Sequence, residues 1–142
     1  QLQLKLRLVC PVLKEVYLPT PDFDVDILIL DDNPTILENL TLLFNGTYTT
    51  ATFERVEEAL DYLRRHKAKI IITDLRMPTM NGFMFISEAK RLHPNCQTIL
   101  MSAFIDARSP ADRAIFERYT RHAVSKPYTI DEMLGMVEQL IA

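Results

Sequence analysis

The sequence predicts an α/β fold, a doubly wound parallel sheet of five strands with five helices. Three short runs are almost continuously apolar, as in parallel strands that helices cover on both faces: "DILIL" (residues 26–30), "KIIIT" (69–73) and "QTILM" (97–101). Each run is followed by a segment with helical periodicity. Strands and helices therefore alternate from residue 24 to residue 142, which is typical of a sheet built from βα units.

The helical segments share apolar residues at spacings of three and four, which predicts amphipathic helices. Pro34 lies near the first turn of the first segment, and Thr129-x-x-Glu132 and Ser109-x-x-Asp112 are capping patterns that open the last two. Two weaker strands, "TYTTAT" (47–52) and "HAVS" (122–125), complete the alternation. The five helical segments are "NPTILENLTLLF", "ERVEEALDYLRRH", "GFMFISEAKRLH", "SPADRAIFERY" and "TIDEMLGMVEQLI".

Residues 1–23 differ from the rest and are interpreted as an N-terminal appendage to a domain of residues 24–142. "QLQLKLRL" alternates leucine with polar residues, which is typical of a strand, and "LPTPDF" contains two prolines that interrupt regular structure. One hypothesis is an extra edge strand or an arm that docks a partner. The simpler hypothesis, which we prefer, is a linker or appended segment.

Composition restricts the function. The 142 residues are 48% hydrophobic and 25% charged, which suits one domain with a core. A net charge of -3 gives no electrostatic signature of nucleic-acid binding, and no apolar run is long enough to span a bilayer. Cys10 and Cys96 form neither a zinc spacing nor a disulfide framework, so we expect a soluble cytoplasmic protein with reduced thiols.

Polar side chains occur at the ends of four predicted strands. Asp31 and Asp32 end the first, Asp74 the third, Ser102 the fourth and Lys126 the fifth. Each has a structural explanation on its own, as a helix cap, a turn cap or a solvated lysine. Together they are expected along one carboxyl edge of the sheet, where clustered carboxylates repel one another unless a cation neutralises them.

The ligand set favours magnesium. Oxygen ligands select a hard ion, and a site with few carboxylates and room for phosphate oxygens suits Mg²⁺ better than Ca²⁺. A carboxylate beside such an ion can attack a phosphoryl group in line, while a lysine balances the charge on the phosphoryl oxygens. Asp74 is the predicted nucleophile and would become an acyl phosphate.

The chain resembles the receiver domains of two-component response regulators, which have the CheY-like, flavodoxin-type fold. The resemblance runs through residues 26–141, and its motifs are "ILILDDNP", "DLRMPTMNG", "ILMSAF" and "SKPY". It implies that Asp74 is the phosphoacceptor and that Asp32, Asp74 and the backbone carbonyl of Arg76 ligate Mg²⁺. Asp31 would assist through water.

The same resemblance implies how phosphorylation would change the structure around the site. Ser102 would be the switch hydroxyl that binds the new phosphoryl group, and Lys126, oriented by a cis bond to Pro127, would pair with a phosphoryl oxygen. The family commonly has an aromatic residue three positions before this lysine, but Ala123 stands here. Phe104 would then repack in its place, and the bulk of Arg76 and Phe104 predicts slow autodephosphorylation.

The resemblance predicts a signalling switch rather than a metabolic enzyme. Its partners would be a sensor histidine kinase or phosphotransfer protein and, through the last two helices, a second copy of the chain. A pseudo-receiver that docks partners without phosphorylation is the first alternative. A haloacid dehalogenase-like phosphatase is the second, but it requires a second aspartate where Asn33 stands.

Overall fold

The computed structural model of the chain describes residues 3–6, 16–19, 23–75, 82–102, 110, 114 and 122–141. The strands are β1 (Gln3–Leu6), β2 (Val16–Pro19), β3 (Val25–Leu30), β4 (Thr50–Phe53), β5 (Ala68–Asp74), β6 (Gln97–Ser102) and β7 (His122–Ser125). The helices are α1 (Pro34–Phe44), α2 (Val56–Arg65), α3 (Gly82–Leu92) and α4 (Ile130–Ile141). Of the other predicted helix, Pro110 and Ala114 are described and helical, and the remainder lies outside the described residues.

Five strands form one parallel sheet in the order β4-β3-β5-β6-β7. The chain passes from β3 outward to β4 and then returns to β5 on the other side of β3, which is the doubly wound arrangement and confirms the predicted fold. The strand order therefore reverses between β3 and β5. Because the strands are parallel, their carboxyl ends meet there in a crevice, where this fold places ligands.

The isoleucines of β5 fill both layers of the core. Ile70 and Ile72 pack with apolar side chains of α1 and α4, whereas Ile71 packs with those of α2 and α3. All three are fully buried, and each stabilises the fold by about 1.5–3 kcal/mol relative to an exposed side chain. The continuous apolar run is therefore explained by helices on both faces of a central strand.

Caps and turns set the helix boundaries. The Asn33 side chain accepts a 2.9 Å hydrogen bond from the Thr35 N–H, which caps α1. At α4, the Glu132 N–H donates to Thr129 Oγ1 at 3.1 Å, as the capping pattern predicts.

The strand predicted at residues 47–52 instead spans Thr50–Phe53, because the Tyr48 N–H donates to the Phe44 carbonyl and extends the turn after α1.

The N-terminal strands form a separate sheet. β1 and β2 pair antiparallel, with a register that runs from Gln3 opposite Pro19 to Leu6 opposite Val16. The alternating segment is thus a strand, as predicted, but β2 continues through Pro19, the first of the two prolines expected to interrupt regular structure. The division at residue 23 stays a prediction. Among the described helices, none combines the length and apolar character needed to cross a bilayer.

Candidate functional site

Three carboxylates converge where the strand order reverses. Asp31 and Asp32 directly follow β3, and Asp74 is the last residue of the adjacent β5. One carboxylate oxygen from each lies within 4.8 Å of the other two. Asp31 is 1% exposed and Asp74 is 9% exposed, whereas Asp32 faces solvent. The structure thus brings together the three acidic residues that the sequence predicts at this edge.

Lys126 completes the cluster from β7. Its Nζ donates to Asp31 Oδ2 at 2.9 Å and to Asp74 Oδ1 at 3.1 Å. Its backbone N–H donates to the Ser102 carbonyl at 2.8 Å, which ties the lysine to the end of β6. The peptide bond to Pro127 is cis, as the family resemblance implies. Lys126 therefore links the two buried carboxylates.

Burial and charge oppose each other within the cluster. Burial raises the pKa of the Asp74 carboxyl, the hydrogen bond and charge of Lys126 act against this, and the charges of Asp31 and Asp32 add to it. For Lys126, burial alone would lower the pKa, but its hydrogen bonds and attraction to Asp31 and Asp74 outweigh burial and raise it. The lysine is held charged, yet within the part of the chain that the structure describes three carboxylates face this one ammonium group. A second cation with oxygen ligands fits here, and Mg²⁺ has that preference.

Asp31 is fixed by its own turn. Its Oδ1 accepts the Asn33 N–H at 2.9 Å, while its Oδ2 accepts from Lys126. The Asn33 side chain is in turn used to cap α1. The position at which a haloacid dehalogenase-like phosphatase needs its second aspartate is therefore occupied by a helix cap, which disfavours that alternative.

The switch candidates lie on the neighbouring strands. Ser102 ends β6 and is 2% exposed, and it pairs in register with Ser125 of β7. Ala123, where the family commonly has an aromatic residue, is half-buried against the cluster that contains Leu75, Phe83, Ile86 and Leu100. Arg76, the predicted carbonyl ligand, and Phe104, the predicted substitute for the aromatic residue, lie outside the described residues.

Two contacts to the main chain of Asp74 were not predicted. The buried Thr73 hydroxyl donates to the Asp74 carbonyl oxygen at 3.0 Å. Gly82 packs so closely that a Cβ atom there would overlap this oxygen and lie 2.9 Å from the Cα of Leu75. For the hydrogen bond of Thr73, the only signal in the sequence is a threonine directly after three isoleucines. The approach of Gly82 depends on the packing of α3, which no local pattern contains.

Comparison with known proteins agrees with the predicted fold and family. The family model described as "Response regulator receiver domain" matches residues 27–138. The DNA-binding transcriptional regulator NtrC of Klebsiella pneumoniae is 29% identical over 115 residues, which cover 80% of this chain and 24% of the relative. This chain thus spans about a quarter of the length of that relative.

Solved structures show the same fold. A CheY-like response regulator receiver domain protein from Methanospirillum hungatei JF-1 aligns with a TM-score of 0.75 and 19% identity, over 82% of this chain and 92% of that chain. The BeF3-activated DrrB receiver domain aligns with a TM-score of 0.73 and 21% identity, over 82% of this chain and 97% of that chain. Both alignments support the assignment of the five-stranded sheet.

Proposed function

The chain belongs to the response regulator receiver domain family of two-component systems, and from this premise we propose that it is a phosphorylation-controlled switch. In this proposal Asp74 accepts a phosphoryl group from a sensor histidine kinase or a phosphotransfer protein. The observation that carries the proposal is the position of Asp74, buried at the end of β5 between two further carboxylates and the ammonium group of Lys126.

The residues present fit a magnesium site. Asp32 and Asp74, with the backbone carbonyl of Arg76, would ligate Mg²⁺, and Asp31 would assist through water. When bound, the ion supplies positive charge that neutralises the carboxylates and the phosphoryl oxygens. An Asp74 oxygen forms the new bond to phosphorus as the P–N bond to the donor imidazole breaks, and the imidazole leaves with the electron pair of that bond.

Lys126 and Ser102 respond to the added group. Before transfer, Lys126 is shared between Asp31 and Asp74, and after transfer it pairs with a phosphoryl oxygen. The Ser102 hydroxyl then binds another phosphoryl oxygen. Because Ser102 pairs in register with Ser125, its displacement would be transmitted to β7 and to α4 beyond it. With Ala123 in place of an aromatic residue, the output would be a change of backbone and surface at this edge of the sheet, assisted by repacking of Phe104.

The domain is proposed to catalyse only its own phosphoryl transfer and its own slow dephosphorylation. Arg76 and Phe104 would limit access of water to the acyl phosphate, which extends its lifetime. The output surface near the last two helices would bind a second copy of the chain or another protein. With a net charge of -3, the domain itself is proposed not to contact nucleic acid.

The test is intact mass spectrometry after incubation with acetyl phosphate. Wild type is expected to gain one phosphoryl group with Mg²⁺ and none in EDTA, and Asp74→Asn is expected to gain none under either condition. Asp26→Asn is the matched control, because Asp26 lies on β3 and hydrogen bonds to Thr49 instead of joining the cluster. It should be labelled like wild type.

Two results would count against the proposal. Equal phosphoryl uptake by wild type and Asp74→Asn would reject Asp74 as the acceptor. A folded wild type that stays unlabelled by acetyl phosphate and by purified histidine kinases would support the pseudo-receiver alternative instead.

A further inference from the structure

We propose that Thr73 is a positioning residue for the phosphoacceptor: its hydroxyl fixes the main chain of Asp74 and thereby aims the carboxylate at the cation site. The inference rests on the proposed function of Asp74. It concerns a side chain that points away from the acidic cluster, into the layer between the sheet and the helices α2 and α3, where Ile71 two residues earlier also packs.

The first observation is the hydrogen bond of Thr73. The residue is fully buried, and its Oγ1 donates to the Asp74 carbonyl oxygen at 3.0 Å. The register between β3 and β5 ends at the pair Leu30–Thr73, so Asp74 lies one residue beyond the last pair with β3. A buried carbonyl at the end of a ladder needs a donor, because leaving a buried acceptor unsatisfied destabilises the fold. The Thr73 hydroxyl is such a donor.

The second observation is the close approach of α3 to the same carbonyl. Gly82 is the first residue of α3, and a Cβ atom on it would overlap the Asp74 carbonyl oxygen. The Gly82 N–H also donates to the Leu75 carbonyl at 2.6 Å. The peptide group after Asp74 is thus confined both by a hydroxyl and by the backbone at the start of the helix.

The choice of threonine at position 73 also points to a role for its hydroxyl. Thr73 follows Ile70, Ile71 and Ile72, and a valine would fill the same volume and suit a buried strand equally well. A buried hydroxyl costs free energy unless it is hydrogen bonded, so packing alone gives no reason for threonine here. The hydroxyl is explained by its bond to the main chain of the phosphoacceptor.

Fixing the main chain of Asp74 also restricts the position of its carboxylate. The orientation of the peptide group after Asp74 sets the direction of its Cα–Cβ bond, and Asp74 Oδ1 must stay near its 3.1 Å contact with Lys126 and within the acidic cluster. A displacement of about 1 Å at a reacting group costs up to about 100-fold in rate. Loss of the Thr73 hydroxyl is therefore expected to slow phosphorylation of the folded protein, beyond any loss of stability.

The experiment compares two matched pairs that differ in the hydroxyl. Wild type and Thr73→Val have the same shape, and Thr73→Ser and Thr73→Ala both lack the methyl group. Initial labelling rates are measured with saturating acetyl phosphate and Mg²⁺, with urea unfolding of each variant and with Asp74→Asn as the blank. We expect Thr73→Val to fold but to be labelled about tenfold more slowly than wild type, and Thr73→Ser to be labelled about tenfold faster than Thr73→Ala.

The outcomes separate the two proposals. Thr73→Val labelled at the wild-type rate, or Thr73→Ser as slow as Thr73→Ala, would show that the hydroxyl does not position Asp74. If Thr73→Val does not fold, the serine and alanine pair decides alone. Labelling of Asp74→Asn at the wild-type rate would instead overturn the assignment of the phosphoacceptor, whatever the Thr73 variants do.

Discussion

At the scale of single residues, Asp74 shows how the candidate site opposes the stability of the fold. In the proposed function Asp74 attacks phosphorus as an ionised carboxylate, yet burial disfavours its charged form. Lys126 reduces this cost without removing it, since the pKa of Asp74 remains raised. Function and stability therefore place opposite demands on this side chain.

Replacing Asp74 by asparagine is expected to stabilise the metal-free protein near neutral pH. Because the folded-state pKa is raised, the contribution of Asp74 to stability is fully present below its unfolded value, near 3.8, and is lost as the pH rises through the folded value. Asparagine avoids this loss. In EDTA at pH 7 we expect Asp74→Asn to raise the thermal midpoint by about 2–4 °C, or roughly 1 kcal/mol.

Circular dichroism melts at pH 7 and pH 4 provide the measurement. The advantage of Asp74→Asn should be smaller at pH 4 than at pH 7, because a lower pH favours the protonated carboxyl that burial also favours. Asp26→Asn serves as the control, because its carboxylate accepts two hydrogen bonds from Thr49 and its loss should lower the midpoint. A variant at Asp74 less stable than wild type at pH 7 would contradict the argument.

At the scale of elements, the first turn of α3 packs closely against the main chain at the end of β5. Gly82 allows the helix to begin against the end of β5, whereas Gly135 in α4 has open space where a Cβ atom would be. These two helical glycines therefore affect the stability of the fold in opposite ways. Gly82 is required by the approach of the main chain, and Gly135 lowers the propensity of its helix.

We expect Gly82→Ala and Gly135→Ala to change stability in opposite directions. Gly82→Ala forces α3 away from Asp74 and should lower the free energy of unfolding by about 1–3 kcal/mol, with slower labelling by acetyl phosphate. Gly135→Ala should raise it by about 0.5–1 kcal/mol through helix propensity, with unchanged labelling. Urea titrations of both variants give the two free energies. A Gly82→Ala variant at least as stable as wild type would show that the contact at Gly82 does not constrain the helix.

The elements also show what sequence can predict. The strands β3, β5 and β6 were found because parallel strands covered on both faces are continuous apolar runs, and the end of each strand located Asp31, Asp74 and Ser102. β4 begins later in the chain than predicted. The residues before it have a strand-like sequence, but they belong to a turn whose N–H groups donate to the Phe44 carbonyl. The lysine shared by two carboxylates and the approach of Gly82 depend on three-dimensional distances, which local periodicity does not contain.

At the scale of the whole molecule, the N-terminal strands and the five-stranded sheet are separate hydrogen-bonded units. β1 and β2 pair with each other, and the family match begins only at residue 27. A ribbon of two strands is marginally stable in water by itself. We therefore expect residues 1–22 to add little to the stability of the receiver domain.

Deletion of residues 1–22 tests this division. The truncated chain should unfold within about 1 kcal/mol of the full chain and should be labelled by acetyl phosphate at the same rate. Retention of Asp24 matters, because its carboxylate accepts a 2.8 Å hydrogen bond from the Lys67 N–H at the start of the sheet. A variant that also lacks Asp24 is the comparison. Loss of cooperative unfolding after the shorter deletion would make the N-terminal strands part of the core.

The salt bridge of Lys126 links distant parts of the chain, since Lys126 and Asp31 are 95 residues apart. Asp74 belongs to a third strand between them in the sheet. No fragment that ends before Lys126 contains the complete cluster, and a nascent chain acquires it only when β7 has joined the sheet. In the proposed function, the ability to accept a phosphoryl group would therefore depend on completed folding: an interrupted or misfolded copy would carry no signal, and only intact molecules would.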